Sequence, residues 1–272
     1  MDGRLREVLG PRGHAAAMEL VRRVHQGVPA ELWRAILFGS TARGEARPDS
    51  DIDLLLIFRE LPWDREPHAG IAERIAEEVA AHTGVPVTVW SVSLPDLERG
   101  RRTPMLVDAL DDGIPLWPAG APPVRVAYTP DDAVFCTGAL LERVDEGSAE
   151  ARGAWEAGDA PGAARRARDD LVRMCTAALL LDGVTRPRRG EAVRAFARRY
   201  GSPPELAPVM RWAAASYGPD GRHGDAPVSP PPGGLRAAAA AVEAVRRAVA
   251  ARRRELRAAR GDTRFHGPRR GG

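Results

Sequence analysis

Two apolar runs, joined by a glycine turn and a pair of aspartates, constrain the fold of this chain more than any other feature. Residues 35–58 have the sequence AILFGSTARGEARPDSDIDLLLIF. The first run, Ala35–Phe38, is short and followed by glycine, which is typical of a buried strand that ends in a turn. The second run, Leu54–Phe58, is apolar throughout and predicts another buried strand, with Asp51 and Asp53 at its start.

The turn after the first predicted strand has the composition of a phosphate site. Gly39 allows the backbone to approach a ligand closely, and Ser40 is expected to cap a short helix over residues 41–46. The free N–H groups at the start of a helix carry a partial positive charge, so they favour a phosphate. Pro48 then ends the predicted helix before the second strand.

The two aspartates are expected to share one side of the second strand. Because side chains alternate along a strand, Asp51 and Asp53 should lie about 7 Å apart on one face while Ile52 points to the other. Paired carboxylates beside a hydrophobic strand are unfavourable without a cation, and their hard oxygen atoms favour Mg²⁺. An isolated Asp-x-Asp is more often a solvated turn, but here the glycine turn, the spacing and both apolar runs coincide.

This arrangement resembles the signature of the nucleotidyltransferase superfamily. The resemblance is specific over residues 35–58 and extends more loosely over 28–117. It implies that Asp51 and Asp53 bind Mg²⁺ against a nucleoside triphosphate, with ATP as the expected donor. The implied reaction is attack of an acceptor hydroxyl on the α-phosphorus with release of pyrophosphate, promoted by positioning and charge neutralisation.

The same resemblance assigns the triphosphate to the turn before the aspartates. It implies that Gly39 and Ser40 contact the phosphates. Arg43 follows in the same loop, where it is either a phosphate ligand or an exposed helix charge. All basic residues of this chain other than histidine are arginine, so any side-chain phosphate clamp must be a guanidinium, whose planar fork suits bidentate binding.

Composition sets the broad class of the protein. The 272 residues suffice for two ordinary domains. No apolar run is long enough to cross a membrane and the N-terminus lacks a signal-peptide segment, so we expect a cytoplasmic protein without a membrane partner. Cys136 and Cys175 are too few for a disulfide framework and are expected as buried thiols. The net charge of +3 is small, which argues against a dedicated nucleic-acid binder.

The chain divides by pattern into an α/β (α+β) part and an all-α part. A small mixed-sheet nucleotidyltransferase domain is predicted over residues 1–120, and a helical-bundle domain over 124–260. The Pro- and Gly-rich stretch 118–123 is the predicted linker, and 261–272 is a predicted disordered tail. Predicted elements are helices at 11–27, 41–46, 71–82 and 103–112, strands at 35–38, 52–58, 85–92 and 114–117, and bundle helices at 130–157, 161–182, 189–200, 203–216 and 235–260.

A nucleotidyltransferase domain followed by a helical bundle resembles two groups of the superfamily. One is the aminoglycoside nucleotidyltransferases, which confer antibiotic resistance by adenylylating a drug hydroxyl. The other is the minimal nucleotidyltransferase paired or fused with a HEPN-type bundle, which includes antitoxins that adenylylate their toxin. Within the bundle, the apolar spacing over residues 171–201 and 206–217 is similar to that of streptomycin- and spectinomycin-modifying enzymes. A homodimer with a shared cleft is compatible with either group.

The chain departs from the superfamily at a third carboxylate. Members usually carry an acid on the next strand, where it completes the metal site or acts as a base. Here the predicted strand 85–92 contains no acid, and Thr88 occupies the aligned position. A threonine is not a general base near neutral pH and is a poor substitute for a charged ligand.

Three hypotheses address the missing acid. The base comes from the helical domain, with Glu142 as the first choice and Asp169 or Asp170 as others, although a plain surface acid is a common role for each. Alternatively, the acceptor is already anionic and needs no base. Finally, the site binds a nucleotide without turning it over.

The sequence therefore predicts a Mg²⁺-dependent enzyme that transfers AMP from ATP to a hydroxyl of a small molecule. An aminoglycoside-like antibiotic or a related natural product is the expected acceptor. The alternatives are a protein adenylyltransferase of the antitoxin type and a non-catalytic module that binds a nucleotide or a partner.

Overall fold

The chain forms two compact units, Met1–Ala127 and Tyr128–Gly272. The structure is a computed structural model, which describes residues 2–28, 30–46, 50–60, 66–185, 189–217 and 228–263. The first unit contains a sheet covered by helices and the second is helical. The predicted fold class is therefore confirmed.

The N-terminal unit is built on a mixed sheet with the strand order β3-β2-β1-β4. The strands are β1 (Leu32–Phe38), β2 (Ile52–Phe58), β3 (Val87–Ser93) and β4 (Ile114–Trp117). β1 runs antiparallel to β2 and β4, whereas β2 and β3 are parallel. A parallel pair needs a crossover connection, and helix α3 (Glu66–Thr83) lies in it.

Helices cover both faces of this sheet. α1 (Asp2–Gly27) and α3 pack on the face that carries Leu54 and Leu56. The opposite face, which carries Leu55 and Ile57, packs against α4 (Leu94–Arg99) and α5 (Pro104–Asp112). Because β2 is apolar on both faces, it is the central buried strand of the unit.

The ends of several elements differ from the predicted ones. α1 begins before the predicted residue 11 and is kinked at Gly10, whose φ of 65° is not helical. Helix α4 was not predicted, although it begins at a recognisable cap in which Ser93 Oγ accepts a hydrogen bond of 3.1 Å from the N–H of Asp96. The short helix predicted over 41–46 is wrong in its bounds, since α2 spans Gly39–Ala42.

The C-terminal unit is a bundle centred on one helix. Its helices are α6 (Pro130–Glu156), α7 (Ala160–Leu181), α8 (Arg189–Tyr200), α9 (Ala207–Ala215) and α10 (Gly234–Thr263). All five bundle helices were predicted, and most ends agree within a few residues. α7 contacts each of the others and has the most buried side chains. α10 continues past the predicted end at 260, and residues 264–272 of the predicted tail lie outside the described residues.

The segment after β4 packs on the N-terminal unit. Val124 and Val126 contact the core beneath α4 and α5, and Arg102 Nη1 donates a 3.3 Å hydrogen bond to the carbonyl of Ala127. The sequence predicts a domain boundary between residues 120 and 124. In the structure the first unit extends to Ala127, so residues 124–127 belong to it rather than to the bundle.

Two further expectations concern thiols and membranes. Cys136 and Cys175 are both buried thiols outside any disulfide, as the sequence predicted. Within the described ranges, no helix combines the length and the apolar character that crossing a membrane requires.

Candidate active site

The residues singled out in the sequence lie at one edge of the sheet, where β1 ends and β2 and β3 begin. Phe38, Asp53 and Thr88 form a row across the three strands, because Phe38 pairs with Asp53 and Asp53 pairs with Thr88. Asp51 precedes β2 by one residue and lies on the same side as Asp53. Asp53 thus lies between the turn after β1 and the start of β3.

Gly39, the first residue after β1, lies directly against the carboxylate of Asp53. Its φ is 74°, which side chains disfavour. A Cβ atom at this position would come within 2.1 Å of Asp53 Oδ2. Two independent constraints therefore require glycine here, one from the backbone conformation and one from the close approach of the carboxylate.

The loop after Gly39 is tied to the strand that carries the aspartates. The side chain of Thr41 is buried and its Oγ1 donates a 3.2 Å hydrogen bond to the carbonyl of Asp51. The N–H of Glu45 donates to the carbonyl of Ser40 at 2.9 Å. Ser40 lies inside α2 and Phe38 is the N-cap residue, without a side-chain cap, so the predicted capping role of Ser40 is wrong.

Thr88 contacts the first aspartate. Its Oγ1 donates a hydrogen bond of 2.8 Å to Oδ2 of Asp51. Thr88, which occupies the position aligned with a third acid, therefore lies within the site. Its hydroxyl is hydrogen-bonded to one of the two paired carboxylates. The sequence suggested the location of this residue but not the hydrogen bond.

Asp53 is the least satisfied polar group of the site. No described residue donates a hydrogen bond to its carboxylate. Its burial, together with the charge of Asp51, raises the pKa of the carboxyl to about 6, while the nearby charge of Arg43 acts in the opposite direction. A partly buried carboxylate in this state favours either a proton or a cation.

Arg43 lies in the same loop with its side chain exposed. Its Nε pairs with Glu45 Oε2 at 3.0 Å, and its charge acts on Asp53. An exposed pair of this kind is weak, so the guanidinium is available to a stronger anion. Its position is compatible with both alternatives that the sequence left open.

Comparison with known proteins agrees with this geometry. Residues 18–111 match the family model described as the nucleotidyltransferase domain. The chain therefore contains a nucleotidyltransferase domain over residues 18–111. The match includes β1, β2, β3 and both aspartates, and the bundle lies outside it. No curated protein and no solved structure matches the chain.

Among the described residues of the nucleotidyltransferase domain, this edge of the sheet brings together two carboxylates, Asp51 and Asp53, rather than three. Across the part of the chain that the structure describes, no cluster of three or more His, Cys, Asp or Glu side chains is arranged to hold a metal ion. Asp51 and Asp53 nevertheless fit a divalent cation, because their oxygen atoms are hard ligands and Asp53 lacks another partner among the described residues. A cation at this pair would need further ligands from phosphate or water.

The candidate bases of the helical unit differ in their surroundings. Glu142 is exposed on α6. Asp169 accepts hydrogen bonds from Arg168 and Tyr217, and Asp170 is 1% exposed and bonded to Arg173. Burial raises the pKa of Asp170 to about 6, with Arg173 and Ser148 acting in the opposite direction. Asp169 and Asp170 thus belong to the interior network of the bundle, whereas Glu142 remains open to solvent.

Two functional candidates were missed or undervalued in the sequence. Thr41 connects the loop to the backbone of Asp51, and nothing in its local sequence indicates that contact. Nothing in the sequence around Trp90 separates it from an ordinary packing residue, yet 46% of it is exposed. It lies on β3, two residues after Thr88 and on the same face.

Proposed function

We propose that the protein transfers AMP from ATP to a hydroxyl group of a small molecule, with Mg²⁺ bound by Asp51 and Asp53. The observation that carries the proposal is the pair of carboxylates beside the Gly39 turn, one of which lacks a hydrogen-bond donor among the described residues. A half-buried carboxylate whose ionisation is disfavoured by burial and by a neighbouring carboxylate is typical of a site that binds a cation.

Each residue of the site has a distinct part in this proposal. Asp51 and Asp53 would hold the cation, which when bound supplies charge neutralisation to the phosphates. Gly39 allows its backbone to lie against the carboxylate of Asp53, and the triphosphate would lie at this turn beside Ser40. Arg43 would exchange its exposed pair with Glu45 for a phosphate, which a guanidinium binds more strongly.

The architecture supports a proposed acceptor class. A nucleotidyltransferase domain followed by a bundle is the arrangement that resembles the aminoglycoside-modifying enzymes, so an aminoglycoside-like compound is the proposed acceptor. Glu142 is the proposed base, because it is the exposed acid among the three bundle candidates. A carboxylate that is open to solvent can accept a proton from an attacking hydroxyl.

One observation favours a second candidate function. Thr88 replaces the third acid, and its hydroxyl is already bonded to Asp51. A domain that binds a nucleotide without transferring it would have this composition. The alternative function is therefore a non-catalytic nucleotide-binding module.

The two functions differ in turnover. Purified protein is incubated with labelled ATP, Mg²⁺ and a panel of aminoglycosides, while pyrophosphate release and product mass are followed. We expect an acceptor-dependent mass increase of one AMP, and its loss in Asp51→Asn. Glu31→Gln, which removes an exposed acid paired with Arg59, is the matched control and should remain active. ATP binding without any transfer to the panel would favour the non-catalytic module, and full activity of Asp51→Asn would contradict the metal-site assignment.

A further inference from the structure

Trp90 is an exposed aromatic side chain on the face of the sheet that carries the aspartates. β3 pairs in parallel with β2, so that Thr88 lies beside Asp53 and Trp90 beside Leu55. Thr88 and Trp90 share a face because they are two residues apart, at about 7 Å between Cα atoms. The indole is therefore within reach of the space in front of the two carboxylates.

The exposure of this side chain leaves an apolar surface that a ligand can contact. Leu55, its neighbour on β2, is completely buried, whereas 46% of Trp90 is exposed. A half-exposed indole loses much of the stabilisation that burial provides, and its flat apolar surface is suited to contact with a ring. Trp90 is the exposed large hydrophobic side chain among the described residues of the N-terminal unit.

The geometry of in-line attack places the triphosphate and the acceptor on opposite sides of the proposed site. The triphosphate would lie at the Gly39 turn, which is on the β1 side of Asp53. In an in-line displacement, the nucleophile approaches from the side opposite to the leaving pyrophosphate. The acceptor would consequently approach from the β3 side, where Thr88 and Trp90 lie.

We infer that Trp90 is an acceptor-binding residue, which stacks on a ring of the acceptor and does not contact the nucleotide. This inference rests on the proposed function, since it assumes that the triphosphate lies at the Gly39 turn. The indole takes no part in the chemical step. It favours acceptors that present an apolar ring face beside the reacting hydroxyl, and a cationic ring substituent adds attraction to the π-face.

Binding measurements on Trp90→Ala and Trp90→Phe test this assignment. Calorimetry with streptomycin as the probe is carried out on the complex of the full chain with Mg²⁺ and the non-hydrolysable ATP analogue AMPCPP. We expect Trp90→Ala to weaken streptomycin binding by about tenfold or more, as is typical of a lost stacking contact, and Trp90→Phe to retain most of the affinity. The affinity for AMPCPP should be the same in all three proteins.

Trp155→Ala is the matched control, because Trp155 is 50% exposed and lies on α6 of the other unit. Equal streptomycin affinity in wild type and Trp90→Ala would overturn the assignment, as would a loss of AMPCPP binding in Trp90→Ala with streptomycin binding intact. If wild type binds AMPCPP but no streptomycin, the proposed acceptor class fails and the assignment fails with it. If wild type does not bind AMPCPP, the proposed function itself fails.

Discussion

Thr88 donates a hydrogen bond of 2.8 Å to Oδ2 of Asp51, so the residue at the third-acid position orients a carboxylate instead of supplying one. A hydroxyl adds no charge to the pair and fixes one of its four oxygen atoms. We predict that Thr88→Val weakens Mn²⁺ binding about 10- to 100-fold, the usual effect of losing an outer hydrogen-bond partner of a metal ligand. Mn²⁺ titration followed by electron paramagnetic resonance measures the change.

Thr88→Ser keeps the hydroxyl and is the control for this prediction. Its Mn²⁺ affinity should be close to that of wild type. If valine and serine at position 88 give the same affinity, the hydrogen bond to Asp51 has no part in binding the cation.

Gly39 is predicted to be irreplaceable for two separable reasons. In Gly39→Ala, the new methyl group would lie 2.1 Å from Asp53 Oδ2, in a backbone with φ of 74°. Gly84 has a similar φ of 69°, but a methyl group there would meet nothing within 4 Å, so Gly84→Ala isolates the backbone effect. We expect a loss of about 1 kcal/mol in the free energy of unfolding for Gly84→Ala. The loss for Gly39→Ala should be larger by at least about 1 kcal/mol, together with lost AMPCPP binding.

Chemical denaturation of both variants measures this difference. Equal destabilisation at the two positions would show that the carboxylate of Asp53 moves away from the turn at little cost. AMPCPP binding by a folded Gly39→Ala protein with wild-type affinity would remove the turn from the phosphate site.

Asp53 should make stability depend on pH. Its pKa is raised from 3.8 to about 6 on folding, so the folded chain holds the proton more tightly than the unfolded chain does. The stability contributed by the protonated form is present below pH 3.8 and is lost as the pH rises through about 6. Asp53→Asn does not ionise. Between pH 4 and 7, in metal-free buffer, we expect its stability to gain about 1–2 kcal/mol relative to wild type, after allowance for solvent screening.

Urea unfolding of wild type and Asp53→Asn at several pH values gives this difference directly, because other titrating groups cancel. Added Mg²⁺ should stabilise wild type at pH 7 and leave the variant unchanged. A stability difference that does not vary with pH would contradict the raised pKa of Asp53.

The helical unit has its own polar centre, in which Tyr217 contacts Asp169 and Arg168. Its hydroxyl donates a 2.9 Å hydrogen bond to Asp169, and its ring lies 4.9 Å from the guanidinium carbon of the buried Arg168. Tyr217→Phe keeps the ring and removes the hydrogen bond, so we expect a loss of about 1–2 kcal/mol in unfolding free energy. Tyr217→Leu should lose about 1 kcal/mol more with the cation–π contact.

Thermal or chemical unfolding of the two variants distinguishes these contributions. AMPCPP affinity should stay at the wild-type value in both, since Tyr217 is not in the nucleotidyltransferase domain. Unchanged stability in Tyr217→Phe would show that the hydroxyl is equally well satisfied by water.

The sequence predicted the elements whose signals are local. The apolar run Leu54–Phe58 predicted β2, and the helices of the bundle followed from their apolar spacing and breaks. Helix α4 was missed although Ser93 and Asp96 form a cap at its start, because the helix is short and has little apolar periodicity. Element ends depend on caps and packing and were therefore less well predicted.

The site was predictable as a set of residues but not as a set of contacts. Asp51 and Asp53 were identified from spacing, whereas the hydrogen bond from Thr88 spans 37 residues and depends on the pairing of β2 with β3. The exposure of Trp90 likewise depends on what packs on its face of the sheet. Such contacts arise from strand register, which a short sequence pattern does not specify.

We propose that Asp51 and Asp53 together bind the divalent cation that accompanies the nucleotide. Calorimetric titration of AMPCPP, with and without Mg²⁺, into wild type and the double variant D51N/D53N tests it most directly. We predict that Mg²⁺ strengthens AMPCPP binding to wild type at least about tenfold, because two carboxylate ligands hold the cation against the phosphates. Mg²⁺ should have no such effect on the double variant. An equal effect of Mg²⁺ on both proteins would contradict the account.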